Sequence, residues 1–246
     1  MPRYKIIIEY NGYNYYGWQK QPGYQAVQGI MEQALYDFSQ QKINVYGACR
    51  TDAGVHAKAQ VAHFDLEKCY SDYTIFNALN FYLKQENISV VAIEKVAVDF
   101  HARFSAKKKT YIYKILNRRA PAAIEKYNVW HIPYHLDIEK IQEAANYLIG
   151  TNDLTSFRAR GCQAASSIKT IEKITVKQRY NNVNITLTAK SFLYNQIRII
   201  VGTLIDFGTG KLYHTEMQKI ISAQNRIKAG VTAPAYGLCL EYIHYP

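Results

Sequence analysis

Along this chain the spacing of apolar residues switches between two and nearly four, and it does so twice in the same order. Arg3 to Tyr10, rich in Tyr and Ile, reads as a strand, and Asn11 to Gly23 reads as a loop. From Gln25 to Phe38, the residues Val27, Ile30, Met31, Ala34, Leu35 and Phe38 recur at helical spacing. Ile43 to Ala48 reads as a short strand, Cys49 to Lys58 as turn-like, and Ala59 to Asp65 alternates as a strand. A helix from Tyr73 to Leu83 and a strand from Ile88 to Val98 complete β-α-β-β-α-β. The second half runs through a strand (Lys109 to Leu116) and a helix (Ile138 to Ile149, with Asp137 as N-cap and Gly150 as stop). Two strands follow, Ile168 to Tyr180 and Val183 to Lys190, joined at Asn181-Asn182 as a hairpin. An apolar helix from Ile197 to Phe207, ended by Gly208, a helix from about His214 to Ala223 and a strand from Tyr236 to His244 close the chain. This order predicts an α+β protein of two ferredoxin-like, RRM-like βαββαβ halves. Their mainly antiparallel sheets should flank a central cleft, a usual place for a ligand. The halves are expected to meet near residues 100–108, giving domains 1–104 and 105–246.

With 246 residues, 48% of them hydrophobic, the chain has enough apolar mass for one large core or two small ones. Its charge is uneven. Residues 1–102 carry 9 Lys/Arg against 10 Asp/Glu, whereas residues 103–246 carry 21 against 9. Between Phe100 and Ile124 lie seven basic residues and no acid, and between Lys173 and Ile205 five basic residues and no acid. Solvated faces normally intersperse both signs, so these segments suit a polyanion such as RNA, DNA or an anionic membrane. The four cysteines, Cys49, Cys69, Cys162 and Cys239, form no C-x-x-C pair, which argues against a zinc site and a disulfide framework. His131 and His135 have a metal-site spacing but enclose Pro133 and lack a partner cysteine, so they read as loop residues. The first residues offer neither a signal segment nor a membrane span, and the expectation is a cytoplasmic protein without metal or membrane partner.

The most informative stretch is Gly47-Ala48-Cys49-Arg50-Thr51-Asp52-Ala53-Gly54-Val55-His56-Ala57, a loop between two strands. Taken alone, Asp52-Ala53-Gly54 is first of all a turn. The company of Arg50 and His56 within seven residues raises a functional reading, because a guanidinium keeps a neighbouring carboxylate ionised and oriented.

The segment Arg50-Thr51-Asp52-Ala53-Gly54-Val55-His56-Ala57 resembles the signature of the tRNA pseudouridine synthase A family. Further blocks, in the family's order, are Glu9-Tyr10-Asn11-Gly12 through Gly17-Trp18-Gln19, Asp99 to Ala106 with Tyr111-Ile112-Tyr113, and Thr155 to Ala159 with Gly161-Cys162-Gln163. Ser191 to Tyr194 with Arg198 and Val201-Gly202-Thr203, then Thr232-Ala233-Pro234 with Gly237 to Leu240, complete the match across nearly the whole chain. The resemblance implies isomerisation of uridine to pseudouridine in the anticodon stem-loop of tRNA, at positions 38, 39 and 40, without metal or organic cofactor. It also implies a homodimer with tRNA lying across both subunits.

The family role of essential carboxylate maps to Asp52. Breaking a glycosidic bond develops positive charge on the sugar, and a carboxylate can stabilise that charge, attack the sugar, or remove a proton; the residue type leaves these three open. Tyr111 matches the stacking tyrosine, though by itself it is one strand tyrosine among 22. Arg198 matches the active-site basic residue. It interrupts an apolar stretch, where a charge is costly unless paired, so a partner such as Asp52 is expected; an arginine snorkelling to solvent is the plain alternative. Leu238 or Leu240 suits an apolar wall beside the base. Arg50 suits extrusion of the base from its stack. Lys107, Lys108, Lys109, Arg118, Arg119, Arg158 and Arg160 are candidates for phosphate contact, each otherwise a solvated charge. Three positions depart: Asn152 and Asn195 stand where the family pattern leads one to expect His, and Gln196 follows where an apolar residue is expected. A non-catalytic RNA binder would need an RNP1 aromatic pattern, which is missing. A glycosidase or base-removing glycosylase would need a second carboxylate near Asp52, and none stands out.

Overall fold

The computed structural model describes all 246 residues, and the chain divides into two compact units, Met1–Lys107 with Cys239–Pro246, and Lys108–Leu238. It is α+β, with mostly antiparallel pairing. In the first unit β1 (Arg3–Tyr10), α1 (Val27–Ser39), β2 (Tyr46–Gly47), β3 (His56–Asp65), α2 (Asp72–Tyr82) and β4 (Ile88–Val96) follow the expected βαββαβ order. In the second unit β5 (Lys108–Asn117), β6 (Trp130–Ile132), α3 (Ile138–Asn146), β7 (Gly150–Asp153), β8 (Ile168–Arg179), β9 (Asn182–Ala189), α4 (Gln196–Gly208) and α5 (Glu216–Ser222) follow one another. The closing strand β10 (Leu238–His244) pairs with β3 of the first unit in parallel, through Cys239↔His56 and Leu240↔Ala57.

In the first unit β1 lies between β4 and β3, and β2 pairs with β3, all antiparallel. Alternate residues of β1, Tyr4, Ile6, Ile8 and Tyr10, are almost fully buried. Burying each such side chain is worth about 1.5–3 kcal/mol. Helix α1 buries Val27, Met31, Ala34 and Leu35, one stripe of the helix. Ser71 caps α2 by accepting from the Thr74 backbone N–H. The strand expected from Ile43 to Ala48 shrinks to Tyr46–Gly47. Its earlier backbone groups are taken by α1 side chains instead: Val45 donates to Glu32 Oε1 and accepts from Gln28 Nε2. The turn-like stretch expected to reach Lys58 ends sooner, because His56 and Ala57 pair with β10, and Ala57 also with Tyr10 of β1.

In the second unit the antiparallel order is β5-β9-β8-β7. Tyr111, Tyr113 and Ile115 of β5 lie opposite Leu187, Ile185 and Val183 of β9, and this shared face is buried. Two strands that sequence periodicity missed, β6 and β7, are only three and four residues long. Asp137 caps α3 as expected, but the helix stops at Asn146 rather than Ile149, and its last residues tighten into three-residue turns (Leu148 N–H to Ala145, Ile149 N–H to Asn146). Helix α4 is buried nearly all round; Arg198 and Asp206 are its only charged residues, both half-buried. No helix of the chain is long and apolar enough to cross a membrane.

Candidate active site

The Asp52 loop connects β2 to β3 and is held from several sides within the first unit. The Trp18 N–H donates to the Thr51 carbonyl at 3.1 Å, and the Gly54 N–H donates to the Tyr15 carbonyl at 3.2 Å. These two bonds bracket Asp52. A tight turn closes between them, with the Val55 N–H donating to the Asp52 carbonyl at 3.1 Å. The hydroxyls of Thr51 and Tyr10 share a hydrogen bond of 2.8 Å in the interior, where burial pushes the Tyr10 phenol up and keeps it neutral. Gly17 has φ of 81°, and a β-carbon there would stand 2.3 Å from the Thr51 carbonyl oxygen. Only glycine permits this approach of the Asn11–Gly23 loop to the Asp52 loop. Asp52 is half-buried, while Arg50 is exposed.

His56 is buried at the start of β3, and its Nδ1 accepts the Gly12 backbone N–H at 3.0 Å. A ring nitrogen that accepts from an N–H carries no proton, so in this arrangement the imidazole is neutral and bears its hydrogen on Nε2.

Within the second unit, Tyr111 lies on β5, 7% exposed, with its ring edge-on to Phe192 at 5.4 Å between centroids. Phe192 stands just before α4, the helix that carries Arg198. Arg198 Nε donates to the Ala233 carbonyl at 2.8 Å, and the Ala233 N–H donates back to the Arg198 carbonyl at 3.1 Å. The next carbonyl, that of Pro234, accepts from the Tyr113 hydroxyl at 2.7 Å. Residues 232–234 therefore act as a strut that ties the Tyr111 strand to the Arg198 helix. Gly202 makes room for it: a β-carbon there would meet the Val231 carbonyl oxygen at 1.8 Å. Leu238 follows at the start of β10, 5% exposed.

Asn195 and Ala233 are contributors that sequence reasoning missed. Asn195 Oδ1 accepts from a terminal guanidinium nitrogen of Arg198 at 2.8 Å, and its backbone is left-handed (φ 58°), a conformation asparagine tolerates better than most residues. The only signal was its departure from the expected His. Gln196 also departs for a local reason: its Oε1 accepts the Leu193 N–H at 2.6 Å while its own N–H donates to the Leu193 carbonyl. The Asn152 amide donates to the Leu148 carbonyl at 3.4 Å.

The basic candidates separate into two groups. Lys107, Arg119 and Arg160 are exposed. Lys108 pairs with Glu172 at 3.0 Å, and strand alternation sets it on the face opposite Lys109 and Tyr111. Arg118 bonds the carbonyls of Ala120 and Pro121, and Arg158 bonds those of Cys162 and Ala164, so both guanidinium groups shape their own loops.

The sequence profile described as tRNA pseudouridine synthase matches residues 6–105 and 144–246. Curated relatives named tRNA pseudouridine synthase A are similar over the full length. One from Wolbachia pipientis wMel is 50% identical over 244 residues, covering 99% of this chain and 100% of the relative. One from Anaplasma phagocytophilum is 46% identical over 245 residues, again 99% and 100%, and one from Ehrlichia chaffeensis is 47% identical over 244 residues with the same coverage. A match of this extent, running through the Asp52 loop, the Tyr111 strand and the Arg198 helix alike, shows that the chain belongs to the tRNA pseudouridine synthase family.

Proposed function

We propose that this protein isomerises uridine to pseudouridine in the anticodon stem-loop of tRNA, at positions 38, 39 and 40, with Asp52 as the essential group. The N1–C1′ bond breaks, the uracil turns, and a C5–C1′ bond forms. C5 then loses its proton and N1 gains one, so the mass is unchanged and no cofactor is required. Asp52 stabilises, attacks or deprotonates the sugar. Tyr111 and Leu238 wall the turning base, Arg198 balances the Asp52 charge, and Arg50 fills the stack the uridine leaves. Domain 1–104 would supply the carboxylate, and domain 105–246 the base wall and most of the basic phosphate contacts. The protein works as a cytoplasmic homodimer; the family resemblance is the support for the dimer.

The observation that carries this reading is the Asp52 loop itself, whose backbone is bonded on both sides of the aspartate. A carboxylate carried on a backbone that is held before substrate arrives loses less orientation freedom at the moment of reaction. The test is incubation with unmodified tRNA followed by carbodiimide mapping through reverse transcription. Wild-type protein should give stops at the target uridines without releasing uracil. Asp52→Asn should give none while binding tRNA within a few-fold. Released uracil would make the protein a glycosylase, unchanged tRNA a binder, and residual Asp52→Asn turnover above about one per cent would remove Asp52 from its role.

A further inference from the structure

Two tyrosines beside the Asp52 loop have no task in the reaction as described. Tyr16 and Tyr24 are 55% and 53% exposed, yet their rings contact each other with centroids 4.4 Å apart. They meet, with their planes tilted by 44°, because the loop between them closes on itself: the Tyr16 N–H donates to the Gln25 carbonyl at 2.9 Å, and the Tyr24 N–H donates to that of Gln21 at 3.3 Å. The loop is fastened to α1 as well. Gly17 and Trp18 carbonyls accept the N–H groups of Val27 and Gln28, in place of a side-chain cap.

Tyr16 also has a fixed position relative to Asp52. Its predecessor, Tyr15, accepts from Gly54, and its successor, Gly17, approaches the Thr51 carbonyl and the Asp52 carbonyl carbon so closely that a β-carbon would lie 2.3 and 3.0 Å from them. The Tyr16 backbone is therefore flanked on both sides by residues that touch the Asp52 loop.

Exposed, paired aromatic rings on a braced loop are what single-stranded nucleic acid stacks on, since every base offers a π-face. A backbone already bonded in place lowers the ordering cost of binding. We infer that the Tyr16–Tyr24 pair is the stacking platform for an unpaired RNA base flanking the uridine that reacts. This rests on the proposed function, because it takes RNA at Asp52 as given. The pair would hold the neighbouring nucleotide while the target uridine leaves the stack.

The test uses the full chain and a short anticodon stem-loop RNA with one target uridine. Intact RNA is compared with RNAs carrying an abasic site on either side of that uridine, and both affinity and single-turnover rate are read. At one of the two positions the abasic site should weaken wild-type binding roughly tenfold, in line with stacking on an aromatic side chain. The Tyr16→Ala/Tyr24→Ala double variant should weaken binding of intact RNA to the same extent, yet lose little more with the abasic RNA. Tyr16→Phe/Tyr24→Phe should restore the wild-type pattern. The inference is overturned if the two losses multiply, as they would if the tyrosines only braced the loop. It is also overturned if the alanine variant binds intact RNA like wild type, or if it changes oligomeric state, which would make the pair a protein contact. A stacking cycle without pseudouridine would overturn the functional reading and leave the platform, whereas pseudouridine with multiplying losses does the reverse.

Discussion

Gly12 donates its backbone N–H to Nδ1 of His56 across 3.0 Å, joining the end of the first strand to the start of the strand that follows the Asp52 loop. The imidazole is thus an acceptor that positions backbone. Because the accepting atom is Nδ1, His56→Asn, whose amide oxygen lies near that nitrogen, should keep most of the single-turnover rate. His56→Phe leaves a buried N–H unsatisfied, at a cost of about 1–3 kcal/mol, and should lower thermal stability along with activity. A fall in His56→Asn as deep as that of Asp52→Asn, with folding and tRNA affinity intact, would make His56 a proton-transfer group.

Arg198 is both a charge and a clamp on the 232–234 strut. Arg198→Met should lose activity and also stability, because it removes the bond to Ala233. Arg198→Lys should retain more activity than Arg198→Met, but clearly less than wild type, because a point charge does not replace a fork donor. Asn195→Gly keeps the left-handed backbone and drops the side-chain acceptor. It should fold with nearly unchanged stability and lose rate several-fold, the sign of an arginine less well aimed. Comparing melting curves with single-turnover rates separates the two effects.

Tyr111→Phe should be milder than Tyr111→Ala. The ring proposed as the base wall survives in Phe, together with its edge-on contact to Phe192. Equal loss of single-turnover rate in both variants would assign the work to the hydroxyl.

Binding should weaken steeply with salt, and the basic residues should contribute unequally. Substituting the exposed Lys107, Arg119 and Arg160 with Gln should flatten the plot of log affinity against log salt by up to about one unit for each phosphate no longer neutralised. Lys108→Gln should change the slope less, since that ammonium is held by Glu172. Arg158→Gln should act on the 159–164 loop, seen as faster hydrogen exchange there, before it acts on the salt slope. An unchanged slope in the triple variant would turn those three residues away from RNA.

Acid should destabilise the first unit through His63. Burial, reinforced by the nearby His101 and Arg3, pushes its pKa down from 6.5 to about 4, and its Nδ1 accepts the Ala102 N–H. The unfolded chain therefore takes up a proton near pH 6.5 that the folded chain refuses until about pH 4. Stability is full above the upper value and falls as pH drops through this window, by at most about 3.5 kcal/mol at roughly 1.4 kcal/mol per unit. Asp65, held below its ordinary range by the hydrogen bonds of Arg3, adds its own loss at still lower pH. Denaturant unfolding between pH 7 and pH 4 should show a flatter pH dependence for His63→Asn, even though that variant is less stable at pH 7.

The periodicities of β1, α1, α2, β5, β9 and α4 were legible in the sequence because each element buries one face, or in α4 nearly all of it, and burial writes itself into residue spacing. Asp137 and the Asp52 loop were legible for local reasons: a cap and a turn are chemistry between near neighbours. What the sequence could not disclose was decided by contacts between distant residues. β6 and β7 are too short to carry a period and exist through pairing with β5 and β8. The missing length of β2 follows from Gln28 and Glu32 claiming its backbone. The bracing of Asp52 by Tyr15 and Trp18, the Arg198–Ala233 clamp and the contact of Tyr16 with Tyr24 likewise depend on where backbone carbonyls come to rest. Backbone groups are the same in every residue, so which of them meet is settled only by tertiary packing.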